Sequence, residues 1–241
     1  MAHLRATTRF GDIRELAEID STNGHLLELA RAGAPEGVVV VADLQRQGRG
    51  RQGRRWEARP GRGLLVSVLL RPRGLDPERR FLATAALSLA AADACAAVAG
   101  VMPSVKWPNG LMVDDRKLAG ILAQADGDAI VAGIGINVSW APDGAVSLAA
   151  ASGRPVDRGE LLAALLCGLE EWCDRWDEVA LAYPRRCATV GRRVRVELAA
   201  RSLVGVAQGV DDRGWLRVAV EGGGEVVAVS AGDVVHLRPY D

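Results

Sequence analysis

The sequence predicts an α+β protein in two parts, a body of about 187 residues followed by a small β-barrel. Three observations predict this class. Apolar residues make up 49% of the 241 residues, so a sizeable core can form. Apolar β-branched runs and long Ala- or Leu-rich stretches share the first part of the chain. After residue 187 the pattern changes to short alternating stretches between turn-rich segments, which is typical of an all-β unit.

The body begins with a capped helix followed by strands. Residues 21–34 predict a helix that starts at Ser21, Thr22 or Asn23, because these side chains cap helix N-termini. Apolar extended stretches then predict strands at 38–42, 64–70, 105–107, 111–113, 116–124 and 129–139. Asp114-Asp115 predicts the turn between two of them. A mixed β-sheet is therefore expected.

Two longer apolar stretches predict helices that flank this sheet. Residues 78–99 are rich in alanine, and residues 160–182 carry Leu, Trp and Cys on one face. The second helix is expected to end before Pro184, since the residue preceding proline is biased away from the helical conformation. Residues 143–158 contain small residues, Pro and Gly, and they predict a connection.

The tail predicts five short strands, at 193–198, 203–210, 215–220, 225–230 and 233–237. Strands of this number and length within about 50 residues favour a closed or nearly closed barrel. The predicted domains are therefore 1–187 and 188–241.

Composition argues against several classes of protein. The 30 basic and 30 acidic residues cancel, which disfavours a protein whose whole surface binds nucleic acid. No uncharged apolar run reaches about 18 residues, so neither a transmembrane helix nor a membrane partner is predicted. Residues 1–20 mix charges and lack a signal core. The four cysteines form no C-x-x-C pair, which favours free thiols in a cytoplasmic protein over a zinc site.

The two lysines stand out against the arginines. Of the 30 basic residues 28 are arginine, and Lys106 and Lys117 lie in one short segment. Codon bias accounts for the excess of arginine. A compact ammonium and a planar guanidinium are not interchangeable at a tight polar site, so the two lysines suggest a chemical requirement. Chance clustering of two residues is the alternative.

An arginine–glycine segment, residues 46–62, carries seven arginines and one glutamate. Glycines at 48, 50 and 53 allow close approach of the backbone to a ligand, and guanidinium forks match phosphate or carboxylate oxygens. We expect a loop that is mobile when empty and ordered by an anion. Trp56 suits the face of an adenine or, equally, a core position. A solvated basic loop and a nucleic-acid patch are the alternatives.

Five motifs in order resemble those of biotin protein ligases, over nearly the whole chain. They are S-T-N (21–23), Q-x-x-G-R-G-R-x-G-R-x-W (45–56), K-W-P-N (106–109), R-K-L-A-G-I-L (116–122) and G-I-G-I-N-V (133–138). The predicted barrel resembles the SH3-like domain of that family, and the body its class II aminoacyl-tRNA synthetase-like catalytic domain. The sequence starts close to S-T-N, so the resemblance is to the short class that lacks the N-terminal DNA-binding domain.

The resemblance implies a set of site residues. Biotin contacts are implied for Ser21, Thr22, Asn23, Gln45, Gly48, Arg49, Lys117 and Gly120. ATP and adenylate contacts are implied for Arg49, Gly50, Arg51, Trp56, Lys106, Asn109 and Asn137. Within these sets, the resemblance gives catalytic roles to Lys117, Arg49 and Arg51.

The resemblance also implies a reaction and its partners. Biotin and ATP would form biotinyl-5′-AMP, and biotin would then pass to a lysine of a biotin carboxyl carrier domain. ATP and Mg²⁺ are the implied cofactors, with Mg²⁺ near Asn109. Relatives include monomers and homodimers, so either state is expected, without nucleic acid as partner.

One position departs from the family pattern. Gly110 stands where relatives usually carry aspartate after K-W-P-N. A carboxylate there would suit Mg²⁺, which prefers oxygen ligands, whereas Asn-Gly suits a tight turn. Two other functions stay open: a lipoate-type ligase, and a non-catalytic biotin- or nucleotide-binding module. A nucleic-acid protein built on the basic loop is a third, which the zero net charge disfavours.

Overall fold

A mixed seven-stranded sheet forms the centre of the computed structural model, which describes residues 8–198, 202–230 and 232–237. Its strands are β1 (Asp12–Ile19), β2 (Val38–Gln45), β3 (Gly63–Leu70), β4 (Ser104–Lys106), β5 (Gly110–Val113), β6 (Arg116–Asp126) and β7 (Ala129–Asn137). Their order is β1-β2-β3-β7-β6-β5-β4. β1 and β2 run parallel and the other neighbours antiparallel, so the mixed sheet predicted from the sequence is confirmed.

Helices cover both faces of this sheet. They are α1 (Thr22–Arg31), α2 (Phe81–Ala99), α3 (Leu148–Ser152), α4 (Arg158–Trp172) and α5 (Trp176–Arg186). Alternate residues on the central strands point to opposite faces. Val66 and Ile134 pack in the cluster that contains α2 and α4, whereas Val40 and Val131 pack against Leu26 of α1. All residues of β3 and β7 are buried for this reason.

The long alanine-rich helix α2 belongs to the core. Together with the preceding turn at Pro77–Arg79 it is long and apolar enough to span a membrane by length and composition. However, 72% of its most apolar 18-residue window is buried inside the fold, against the sheet and α4. Small side chains allow this close packing of helix on helix and helix on sheet.

The C-terminal part forms a separate antiparallel sheet. Its strands are β8 (Arg193–Glu197), β9 (Ser202–Val210), β10 (Leu216–Val220), β11 (Val226–Val229) and β12 (Asp233–His236), in the order β11-β10-β9-β8-β12. The five predicted strands are confirmed. Its apolar face joins the main core, since Val194 and Leu216 lie in the same cluster as Trp107. Trp107 Nε1 also donates to Gly214 O at 2.8 Å.

The structure differs from the sequence prediction of the elements at four points. Residues 12–19 form an edge strand that the sequence analysis missed, and α3 lies inside the predicted connection 143–158. The single helix predicted at 160–182 is two helices, because Asp174 adopts a left-handed conformation (φ 65°) between them. The predicted end before Pro184 was also wrong, because the second helix continues through Pro184 to Arg186 although proline has no N–H to donate to the preceding turn.

Candidate active site

A polar cavity of about 120 Å³ lies on the α1 side of the sheet. It is bounded by the start of α1, the end of β2, strands β6 and β7, and the basic loop, the name used here for residues 46–62. Of the predicted site residues it brings together Ser21, Thr22, Asn23, Gln45, Arg49, Gly50, Arg51, Trp56, Asn109, Lys117 and Gly120. Gly48, Lys106 and Asn137 do not line it, and their predicted ligand contacts stay predictions.

One end of the cavity is a network of uncharged polar groups, called here the polar floor: Ser21, Thr22, Asn23, Gln45 and Ser67. Ser21 caps α1, and its Oγ accepts from Gly24 N–H at 3.3 Å. Gln45 Oε1 accepts from Thr22 N–H at 2.8 Å, which links the helix start to the end of β2. Ser67 on β3 lies beneath both Thr22 and Asn23. The floor is therefore held by hydrogen bonds from three elements.

Glycines on two neighbouring strands leave room above the sheet. Gly120 of β6 pairs with Gly135 of β7, and the indole of Trp56 lies on both. A Cβ at Gly120 would come within 2.9 Å of Trp56 Cζ3, and one at Gly135 would overlap the ring. Larger residues would displace Trp56, so the glycines define where the tryptophan closes the cavity. Trp56 Nε1 is buried and has no hydrogen-bond partner within the described residues.

The basic loop folds back on itself over the cavity. Gly50 N–H donates to Arg54 O at 2.6 Å, and Trp56 N–H donates to Gly48 O at 2.9 Å. A Cβ at Gly48 would lie 2.6 Å from Trp56 O, so only glycine permits this turn. The fold of the loop directs Arg49 and Arg51 into the cavity.

Cations without carboxylate partners converge at this end. Across the described ranges of the chain, Arg49, Arg51 and Lys117 form no salt bridge. The Lys117 side chain is open to solvent, yet partial desolvation of its ammonium, with Arg54 and Lys106 nearby, lowers its pKa. Burial, partly offset by Tyr183, also lowers the pKa of Arg51. An anion in the cavity would relieve both penalties.

The C-terminal sheet contributes one carboxylate to the cavity lining. Asp233 of β12 forms an ion pair with Arg54 of the basic loop. It is the one acidic side chain among the described residues that line the cavity. The pair joins the loop to the tail across almost the whole sequence.

Neighbouring amides hold the lysine-bearing segments in place. Asn137 is buried and donates to Lys117 O and to Val146 O, each at 3.3 Å. Asn109 Nδ2 donates to Ile121 O at 2.6 Å, which ties the K-W-P-N segment to β6. Asn137 thus supports the Lys117 backbone from outside the cavity.

Gly110 has ordinary backbone geometry. It begins β5 after the turn at 107–109, and its φ lies outside the left-handed region. A tight turn does lie here, at 107–109, and closes where Gly110 pairs with Lys106, but Gly110 does not need the conformational freedom of glycine. A Cβ there would have its nearest neighbours at 3.7–3.9 Å, so aspartate fits without a clash of the β-carbon.

Several cavity residues were missed by sequence reasoning: Arg54, Arg55, Ile121, Leu122, Gly133, Ile134, Gly135 and Asp233, with Ser67 beneath them. Most lie inside the quoted motifs, and their adjacency to named residues was the available signal. Asp233 and Ser67 carried no signal, since one sits in a distant strand and the other resembles any strand serine.

Comparison with known proteins first gives the class. The sequence profile of the biotin/lipoate A/B protein ligase family matches residues 16–140, and that of the biotin protein ligase C-terminal domain matches residues 189–237. The chain therefore belongs to the biotin/lipoate A/B protein ligase family.

Within that family its relatives are biotin ligases. The biotin--[acetyl-CoA-carboxylase] ligase of Mycobacterium tuberculosis is 39% identical, with 92% of this chain and 88% of that protein covered. The enzyme of the same name from Paracoccus denitrificans is 32% identical, with 88% and 96% covered. The biotin protein ligase of Aquifex aeolicus, solved with biotin and ATP, has a TM-score of 0.81 at 27% identity and covers 95% of this chain and 100% of its own.

Proposed function

We propose that this chain is an ATP-dependent biotin protein ligase that activates biotin as biotinyl-5′-AMP and transfers it to a lysine of a carrier domain. The observation that carries the proposal is the cavity itself. An uncharged polar floor suits the urea head group of biotin, and unpaired cations at the other end suit carboxylate and phosphate. The relatives named above are ligases for the same substrate.

The first half-reaction joins two anions. A biotin carboxylate oxygen attacks the α-phosphorus of ATP, a new P–O bond forms, and the bond to the β-phosphate breaks to release pyrophosphate. Coulomb repulsion opposes this approach, so preorganised cations at the reacting oxygens lower the barrier. Lys117, Arg49 and Arg51 supply these charges. Positioning and electrostatics suffice without a covalent enzyme intermediate.

The second half-reaction makes the amide. The acceptor lysine amine attacks the acyl carbon, a C–N bond forms, the acyl–phosphate C–O bond breaks, and AMP leaves while the amine loses a proton. The adenylate reacts with water and stray amines, so it must be retained until the acceptor arrives. The basic loop performs this second task by closing over the intermediate.

The described side chains do not form a Mg²⁺ site made of protein ligands alone. Among the residues that the structure describes, no group of three His, Cys, Asp or Glu side chains converges. Asn109 commits its amide nitrogen to Ile121 O, Gly110 supplies no carboxylate, and Asp233 is paired with Arg54. Mg²⁺ remains a prediction, as does its position near Asn109.

Several finer points belong to this proposal. The C-terminal sheet would close as an SH3-like barrel, and the body would be a class II synthetase-like catalytic domain. The domain boundary would fall between 187 and 188. The acceptors would be carrier domains of biotin-dependent carboxylases. The ligase itself would be a cytoplasmic monomer or homodimer, and it would bind neither nucleic acid nor membrane.

A pyrophosphate assay tests the proposal. We expect release of pyrophosphate from ATP that depends on biotin and is not supported by lipoate. Release with lipoate alone would indicate a lipoate-type ligase, and no release despite biotin binding would indicate a binding module. Gly110→Asp, run in parallel, is expected to lower the Mg²⁺ concentration that gives half of the maximal rate.

A further inference from the structure

Ser67 belongs to the polar floor, yet neither the motifs nor the mechanism assigns it a role. It lies in β3 and is 0% exposed. Its Oγ is 2.6 Å from Asn23 Oδ1 and 2.7 Å from Thr22 Oγ1. A hydroxyl carries one proton, so it can donate to one of these oxygens and must accept from the other. The choice decides what Thr22 offers to a ligand.

Asn23 fixes the direction. Its Nδ2 donates to Leu122 O at 2.9 Å and to Gln124 Oε1 at 3.1 Å. A main-chain carbonyl can only accept, so the amide orientation of Asn23 is set and its Oδ1 faces Ser67. Since Oδ1 also only accepts, Ser67 donates its proton to Asn23.

Thr22 must then donate to Ser67. The contact of 2.7 Å between their hydroxyl oxygens is a hydrogen bond only in that direction, because the Ser67 proton is committed to Asn23. Gln45 Oε1, which accepts from Thr22 N–H at 2.8 Å, lies 3.1 Å from Thr22 Oγ1 and is a second acceptor within reach of the same hydroxyl proton. With either acceptor the Thr22 hydroxyl acts as a donor toward the protein. Thr22 Oγ1 therefore keeps lone pairs available for a ligand in the cavity.

The neighbouring groups present the opposite polarity. Ser21 Oγ accepts from Gly24 N–H, so its own proton is available to a ligand. The side-chain oxygen of Gln45 faces Thr22, so the amide hydrogens of Gln45 point away from Thr22 and are available to a ligand. This end of the cavity thus offers donors from Ser21 and Gln45 beside an acceptor from Thr22. A cyclic urea is complementary, with one carbonyl acceptor and N–H donors.

We propose that Ser67 and Asn23 are positioning residues that set the donor and acceptor pattern of the polar floor for the urea ring of biotin. The inference rests on the proposed function and assigns Asn23 a supporting role, because its amide is engaged with protein groups. Gly133 permits the arrangement: a Cβ there would overlap Asn23 Oδ1 and lie 2.9 Å from Ser67 Oγ.

The test measures the Kd of biotin by calorimetry on the full chain. Ser67→Ala is expected to raise the Kd about tenfold, the cost of releasing one oriented hydrogen bond. Ser88→Ala is the matched control, since Ser88 is equally buried (0%) and donates to Thr84 O at 2.7 Å far from the cavity. The control should change the Kd less than twofold. In Ser67→Ala, kcat at saturating biotin and KM for ATP should stay within twofold of the parent.

Two further variants separate positioning from general loosening of the core. Ser67→Cys keeps a weak hydrogen-bond donor, so the Kd of biotin should rise less than in Ser67→Ala. This variant also replaces Ser67→Ala as the test if the alanine variant folds poorly. In a Thr22→Val background, Ser67→Ala should add less than twofold, because Ser67 acts through Thr22. A full tenfold rise in the Kd of biotin in that background, or an unchanged Kd in Ser67→Ala, would overturn the positioning role of Ser67. A parent protein that binds no biotin would instead overturn the proposed function, and the positioning role with it.

Discussion

The two ends of the cavity are built on opposite principles. In the polar floor, side chains without charge are buried, or half-buried in the case of Gln45, and they are hydrogen-bonded to one another and to main-chain groups. At the basic loop, Arg49 and Lys117 are exposed, and no carboxylate within the described residues pairs with them. The end that would hold the head group is therefore preorganised before a ligand binds, whereas the charges at the reactive end are balanced only when an anionic ligand binds.

The largest expected effect concerns Lys117. Lys117→Arg keeps the charge but replaces a compact ammonium by a broad fork, so the rate of adenylate formation should fall on the order of 10²-fold or more. The Kd of biotin should change much less, because the polar floor is untouched. Single-turnover pyrophosphate release checks the rate. Adenylate formation at the parental rate would remove Lys117 from its assigned role.

Arg51→Gly should weaken retention more than chemistry. The variant removes a cation from the loop, so biotinyl-5′-AMP should escape at least about tenfold faster and label unrelated proteins in a mixed lysate. Arg59→Gly is the matched control, because Arg59 lies in the same loop but stacks on Trp140, 4.9 Å from its ring centre, outside the cavity. Labelling confined to the carrier domain in Arg51→Gly would show that this arginine does not retain the intermediate.

The pH dependence should differ between the two ends. The pKa of Lys117 is lowered, so its ammonium is charged below that pKa and loses its charge as the pH rises through it. The kcat/KM of adenylate formation, which reports the free enzyme, should therefore decline several-fold on the alkaline side, at a pH below the ordinary lysine pKa. Biotin binding should weaken less over this range, because Lys117 meets only the biotin carboxylate and no residue of the polar floor titrates. A parallel decline in adenylate formation and in biotin binding would contradict the difference between the two ends of the cavity.

Ionic strength should give the smallest effect. The Debye length falls from about 10 Å at 0.1 M to about 3 Å at 1 M salt, which screens exposed cations. Raising the salt should increase KM for ATP a few-fold and leave the Kd of biotin within twofold. Steady-state kinetics at several sodium chloride concentrations, with potassium acetate as a second salt, checks this. An equal effect on both ligands would mean that charge also governs the floor.

The part of the fold that follows a simple periodicity was predictable. Five tail strands alternate regularly, and the buried runs of β2, β3 and β7 are continuous. β1 was missed because its edge position leaves charged residues exposed without strict alternation. The break at Asp174 was invisible because apolar spacing continues from α4 into α5 on either side of it.

The candidate site divides in the same way. Contiguous motifs led to Thr22, Arg51 and Lys117, which the fold gathers around one cavity. Ser67 and Asp233 needed three-dimensional information, because packing of α1 on β3 brings the first beneath Thr22 and docking of the tail brings the second to Arg54. Motifs identify residues that share a segment, and long-range contacts supply the rest.

A crystal structure of the full chain with biotin and a non-hydrolysable ATP analogue tests the central claim most directly. We expect Lys117 Nζ and the guanidinium of Arg49 or Arg51 to lie about 3 Å from the carboxylate and α-phosphate oxygens. Ser67, Asn23 and Thr22 should keep their hydrogen bonds to one another. A complex in which the basic loop and Lys117 lie away from both anions, or in which the floor rearranges around the ligand, would contradict the central claim.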